Sequence, residues 1–138
     1  MTVCGGKRDM ADLRFSAYQY QHLPLGELQS RWTEAERLGF DVVWNCDTVV
    51  EPDRPRHIMF DGPSTLTLMA ACTSRIRVGT LVTSMSFRHP VTLTKATATV
   101  HNLNDRRLEV ALGVGDPSAG AAAVGVDWPP GGTGGQVR

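Results

Sequence analysis

The sequence predicts an α/β protein built on a parallel sheet, and three observations predict it. Strand-like and helix-like segments alternate along the chain, each helix-like segment carries a start or stop signal, and the strands recur with a period of about thirty residues. Strand starts near 13, 41, 75 and 107 set that period.

The first strand is read over Leu13–Tyr20, where aromatic and apolar side chains alternate. Leu25, Leu28, Trp32, Ala35 and Leu38 then fall on one face of a helix, with Gly39 where a C-terminal glycine is favoured. Asp41–Asp47 reads as a short buried strand, followed by a proline-rich polar loop over 51–62. Pro63 and Ser64 open a second helix that carries Leu66, Met69, Ala70 and Thr73 on one side. Arg75–Thr83 is the third strand, and Pro90 opens a third helix with Leu93, Ala96, Val100 and Leu103 in register. Arg107–Gly115 is the fourth strand and ends in glycines.

Such alternation implies parallel strands joined by right-handed crossovers. It leaves two architectures open: a flavodoxin-like open sheet, nearly complete at this length, or the first four units of a (β/α)8 barrel. The chain divides into a flexible N-terminus over 1–12, a βα body over 13–127, and a glycine- and proline-dense tail over 128–138 that reads as disordered. The tail is either a natural extension or the mark of a truncated or frame-shifted gene; the second reading is preferred.

At 138 residues with 41% hydrophobic and 20% charged content, the chain suits one globular domain. Its formal net charge of zero argues against a nucleic-acid partner. Cys4, Cys46 and Cys72 form neither a zinc motif nor a disulfide framework, so no metal is expected and a reducing, cytoplasmic setting is. Residues 1–9 lack the apolar core of a secretory signal, and no apolar run reaches the roughly 18 residues of a membrane span.

In a parallel βα protein ligands gather at the carboxyl ends of the strands. That rule selects Gln21 and His22 after the first strand, and Asp47, Thr48 and the loop with His57 after the second. It selects Thr83, Ser84, Arg88 and His89 after the third, and Gly113, Gly115 and Asp116 after the fourth. His101 lies near the end of a helix, away from this face. Asp47 closes an apolar strand, so it must be hydrogen-bonded or reached by solvent; it serves either a ligand or catalysis, or it caps the following loop. Gly113-Val-Gly115 would admit close backbone approach to a flat or anionic ligand. It is no dinucleotide fingerprint, because Ser118 stands where the third glycine would be. Gly5-Gly6-Lys7 lacks the phosphate-loop motif and precedes the first strand.

Four segments then resemble a known family in register. Glu34-Ala-Glu-Arg-Leu-Gly-Phe-Asp-Val-Val-Trp44, and Thr73-Ser-Arg-Ile-Arg-Val-Gly-Thr-Leu-Val-Thr83 with Phe87-Arg-His-Pro90, are similar to segments of the luciferase-like monooxygenase superfamily. So are Arg107-Leu-Glu-Val-Ala-Leu-Gly-Val-Gly115 and Ala123-Val-Gly-Val-Asp-Trp-Pro-Pro130. The resemblance implies an α/β TIM barrel, here roughly its first four βα units, that binds coenzyme F420 or, alternatively, FMN, and acts on a small-molecule substrate. It implies a non-proline cis peptide in a bulge around Leu81, Val82 and Thr83, and cofactor contacts from these residues, Asp47, Gly113 and Gly115. The family's histidine after Asp47 is replaced by Thr48, which cannot serve as an acid near neutral pH. A proton would then come from His22, His57 or a segment outside this chain.

The implied chemistry is hydride transfer to or from an organic carbon, or monooxygenation with FMN. Half a barrel leaves two sheet edges unpaired. The chain by itself is therefore expected to bind cofactor weakly or not at all, to be a truncated and inactive copy, and to pair as a homodimer or with a second half. The competing expectations are a stand-alone flavodoxin-like binding domain and a half-barrel that docks on a separate chain.

Overall fold

A computed structural model describes residues 13–51, 54–114, 126–127 and 136–137, with the backbone alone for 54–58, 126–127 and 136–137. In chain order the elements are β1 (Ser16–Tyr18), α1 (Leu25–Arg37), β2 (Val42–Asn45), β3 (Val50–Glu51), β4 (Arg54–Ile58) and α2 (Gly62–Cys72). They continue with β5 (Arg77–Ser84), α3 (Pro90–Leu103), β6 (Leu108–Gly113), β7 (Val126–Asp127) and β8 (Gln136–Val137).

The main sheet is parallel and its order, β1-β2-β5-β6, follows the chain without reversal. Ala17, Val43, Val78 and Leu108 stand in one cross-strand row, and all four pack into the core that Leu28, Trp32, Met69 and Val100 of the helices complete. Every helix therefore covers the same face. A flavodoxin-like sheet reverses its order at a switch point and carries helices on both faces. Sequential order with one-sided cover is the wall of a barrel, so the fold is an incomplete (β/α)8 barrel. On the other face, the Trp44 ring lies against Gly79: a Cβ there would stand 2.4 Å from a ring carbon, so only glycine fits.

Helix positions follow local signals. Gly39 ends α1 at φ 84, a conformation glycine adopts without steric cost. Asp61 caps α2, its Oδ2 accepting the Ser64 N–H at 2.8 Å. The predicted faces bury their centres, Leu28, Trp32 and Ala35 in α1 and Leu93 and Val100 in α3. Their ends, Leu25, Leu38 and Leu103, stay exposed where each helix leaves the sheet.

Two expectations change. The 51–62 loop contains a small antiparallel ribbon in which Val50 pairs with Ile58 and Glu51 with Arg54. Its strands are short, and Pro55 sits in a ribbon of only two strands, the setting that tolerates proline; charge and proline hid the alternation. In the tail, Gln136–Val137 pairs with Val126–Asp127; the remainder of 128–138, like 1–12, lies outside the described residues.

The amino end of the sheet is bound by charge. Glu36 accepts backbone N–H groups of Ser74, Arg75 and Ile76, the last at 3.0 Å. Burial alone would raise its carboxyl, but the three N–H groups outweigh it and hold the pKa at about 2. Asp41 accepts the Phe15 N–H at 2.7 Å. Arg107 donates to the carbonyls of Ala70, Thr73 and Ile76, closing the end of α2. Glu109 takes Arg14 and Arg77, each at 2.6 Å.

Candidate functional site

The carboxyl end of the sheet collects most of the residues selected from the sequence, and strand β5 shapes it. Its pairing with β6 shifts between Thr80 and Thr83, so Leu81 and Val82 fall out of register, and the Leu81–Val82 peptide bond is cis. Both side chains stand exposed, by 44% and 41%, while Thr83 and Ser84 turn inward at 3%. An apolar step thus faces outward at the end where barrels bind ligands. Gly113 is the register partner of Ser84, and its carbonyl accepts the Met85 N–H at 2.9 Å.

Asp47 lies beneath this step and is 6% exposed. Its Oδ2 accepts the Ser84 N–H at 2.9 Å, and the Arg88 guanidinium grips both carboxylate oxygens, with Nη2 to Oδ1 at 3.0 Å. The same Nη2 donates to Asp61 Oδ1 at 2.9 Å. Burial would lower the Arg88 pKa, but the hydrogen bond and charge of Asp47, with Asp61 behind it, raise it above its ordinary value. A fork of this kind fixes direction as well as distance. Gly62 starts α2 directly above: a Cβ there would lie 2.8 Å from the Cys46 carbonyl and 2.9 Å from Asp47 Oδ1.

Gln21 is fully buried and joins the segments from the other side. Its Nε2 donates to the carbonyls of Cys46 at 2.6 Å and Phe60 at 2.9 Å, and its Oε1 accepts the Cys46 N–H at 3.3 Å. His22 follows it, with Nδ1 3.7 Å from Glu51 Oε2, an ion-pair distance when the imidazole is protonated. The Tyr20 ring centroid is 6.5 Å from that imidazole, and Tyr18 packs edge-on to Tyr20. Burial, with the neighbouring Cys46 thiol, pushes the Tyr18 phenol up, so it keeps its proton. Thr48 Oγ1 lies 3.4 Å from Cys46 Sγ.

Asp47, Ser84 and Arg88 are thus brought into direct contact, with Gly113 beside Ser84. His89 instead caps α3, its Nδ1 accepting the Val91 N–H at 3.2 Å. His101 sits in the last turn of α3. His57 belongs to β4, but its side chain, like Gly115 and Asp116 altogether, lies outside the described residues. Sequence reasoning did not foresee Glu51 beside His22 or Asp61 as a second partner of Arg88. The Asp61-Gly-Pro-Ser64 run, an N-cap residue before proline, was the available signal for the latter. Among the described residues no helix is long and apolar enough to cross a membrane.

The family model for luciferase-like monooxygenases matches residues 10–131. The fold is also similar to the coenzyme F420-dependent tetrahydromethanopterin reductase of Methanopyrus kandleri, with TM-score 0.71 and 24% identity over 85% of this chain and 31% of that one. An F420-dependent secondary alcohol dehydrogenase, solved with an F420–acetone adduct, matches with TM-score 0.72 and 21% identity over 84% of this chain and 36% of that one. The oxygenating constituent of 3,6-diketocamphane monooxygenase from Pseudomonas putida, solved with FMN, matches with TM-score 0.67 and 11% identity over 83% of this chain and 33% of that one. The chain therefore spans about a third of the length of these structures, as the shares of 31%, 36% and 33% state.

Proposed function

The chain belongs to the luciferase-like monooxygenase family, and from that premise we propose that it carries the ring-facing part of an oxidoreductase site for F420, with FMN as the alternative. The supporting observation is the outward step of Leu81 and Val82, exposed at the carboxyl end of the sheet beside Gly113. An apolar step with a glycine strand end beside it suits the face of a planar ring. Gly115 would extend that wall, and Thr83 would hold the base of the step.

Such a ring, when bound, supplies hydride transfer to or from a carbon of a small organic substrate, or oxygen chemistry if it is FMN. The residues of this chain position the ring, shield one of its faces and handle a proton. His22 is the residue we assign to the proton, because it follows the first strand at the carboxyl end of the sheet and its Nδ1 stands 3.7 Å from Glu51 Oε2, which orients the ring. His57 is the second candidate. Asp47 borders the ring site. Thr48 holds no proton to give at neutral pH, so the pair His22–Glu51 takes over the task that the family assigns to histidine at that place. Barrels commonly bind phosphate in the loops after strands seven and eight.

Titration of the chain with F420 and with FMN, followed by ring fluorescence, tests the reading. Saturable quenching, however weak, that Leu81→Asp abolishes is the expected result. No quenching by either cofactor at millimolar concentration, or quenching indifferent to Leu81→Asp and Val82→Asp, would contradict it.

A further inference from the structure

We infer that Asp47 and Arg88 form a latch that seats the outward step of β5, which makes Arg88 a positioning residue of this site. The inference rests on the ring-binding reading only for its purpose; the latch itself stands on geometry. Where β5 leaves register with β6, the ladder no longer holds Leu81 and Val82. The ladder resumes at Thr83, which pairs with Leu112, and the next N–H, that of Ser84, goes not to β6 but to Asp47 on the opposite neighbour. Met85 N–H and the Ser86 hydroxyl then return to the carbonyls of Gly113 and Val114. The step is therefore pinned from both sides, and on the β2 side by a single carboxylate.

That carboxylate is buried, and an uncompensated buried charge is costly. Arg88 compensates it with both forks of its guanidinium and carries the restraint on to Asp61, the cap of α2. Three connecting segments, after β2, before α2 and after β5, thus meet on one cation. Arg88 is itself 18% exposed on its side chain, and its guanidinium bonds go to Asp47 and Asp61. It acts through Asp47. The occupied carboxylate also bears on the part Asp47 plays: with three hydrogen bonds already accepted, it supports the ring wall by fixing Ser84.

Amide hydrogen exchange on the full chain tests this, comparing wild type with Arg88→Gln and Arg88→Lys. Arg88→Gln should raise exchange over residues 81–86 by about tenfold beyond any change at 77–80 or 36–41, since loss of a local restraint opens its own segment first. Arg88→Lys, which keeps the charge but not the fork, should fall between. Equal acceleration everywhere, or none at 81–86, would overturn the latch. Should Arg88→Gln not fold, Arg88→Lys is read by the same criterion. Ring fluorescence on the same samples separates the two readings. A wild type that quenches neither cofactor, with local opening in the variant, refutes the ring site and keeps the latch. A wild type that quenches, with no local opening in the variant, does the reverse.

Discussion

The two ends of the parallel sheet are held in different ways. At the amino end, Glu36, Asp41, Arg107 and Glu109 each tie chain segments far apart in sequence, and their bonds overlap around 74–77 and 107–109. At the carboxyl end, Arg88 with Asp47 and Gln21 with Cys46 carry the restraint, and Leu81, Val82, Met85, Leu112 and Val114 are left exposed. The same sheet thus has an end bound by redundant charge and an end bound by a few fixed groups, with apolar surface between them. Barrels place stability at the first end and ligands at the second. In this chain those exposed apolar side chains lie at the second end.

The contrast can be broken from either side. The largest effect is expected at Glu36: Glu36→Ala removes an ionised acceptor of three N–H groups and should cost roughly 2–3 kcal/mol, read from the urea midpoint. Because the folded pKa is about 2, against an ordinary 4.5, the contribution is present above the unfolded value and is lost as pH falls from about 5 towards 2. Wild type should therefore lose stability across that window more steeply than Glu36→Ala. Equal slopes would remove Glu36 from the account.

At the other end, Gly62→Ala forces a methyl against the Cys46 carbonyl and Asp47, and should cost about 1–3 kcal/mol. Full stability in that variant would mean the α2 start is not fixed against Asp47. Asp61→Ala removes an N-cap and the exposed arm of the Arg88 pair, for about 1 kcal/mol by thermal unfolding. A loss several times larger would make Asp61, not Asp47, the main partner. Leu81→Asp sits at the exposed step and should leave stability within about 0.5 kcal/mol while abolishing ring quenching. A large loss of stability there would mean that the step belongs to the core.

Much of the fold could be read from the chain because its elements carry strong local signals. Gly39, Pro63, Pro90 and the Leu28–Trp32–Ala35 stripe act within a few residues of where they stand. The choice between barrel and open sheet was not in the periodicity, since both alternate in the same way. It is decided by which face the helices cover, a property of the row Ala17, Val43, Val78 and Leu108 taken together. The site shows the same limit. Asp47 was marked by its place at a strand end, and Leu81 and Val82 by the family resemblance. The partnership of Asp47 with Arg88 spans 41 positions, and that of Glu36 with Ile76 spans 40, and no spacing rule reaches so far. The ribbon over 50–58 escaped notice because Pro55 and its charged neighbours look like loop.

The most direct test of the division between the ends is the footprint of a bound ring. Hydrogen exchange of the wild-type chain, with and without saturating F420 and then FMN, reports which amides become protected. Protection is expected over 81–85 and 112–114, with 36–41 and 74–77 unchanged. Protection confined to 36–41 and 74–77, or none anywhere at saturation, would contradict it.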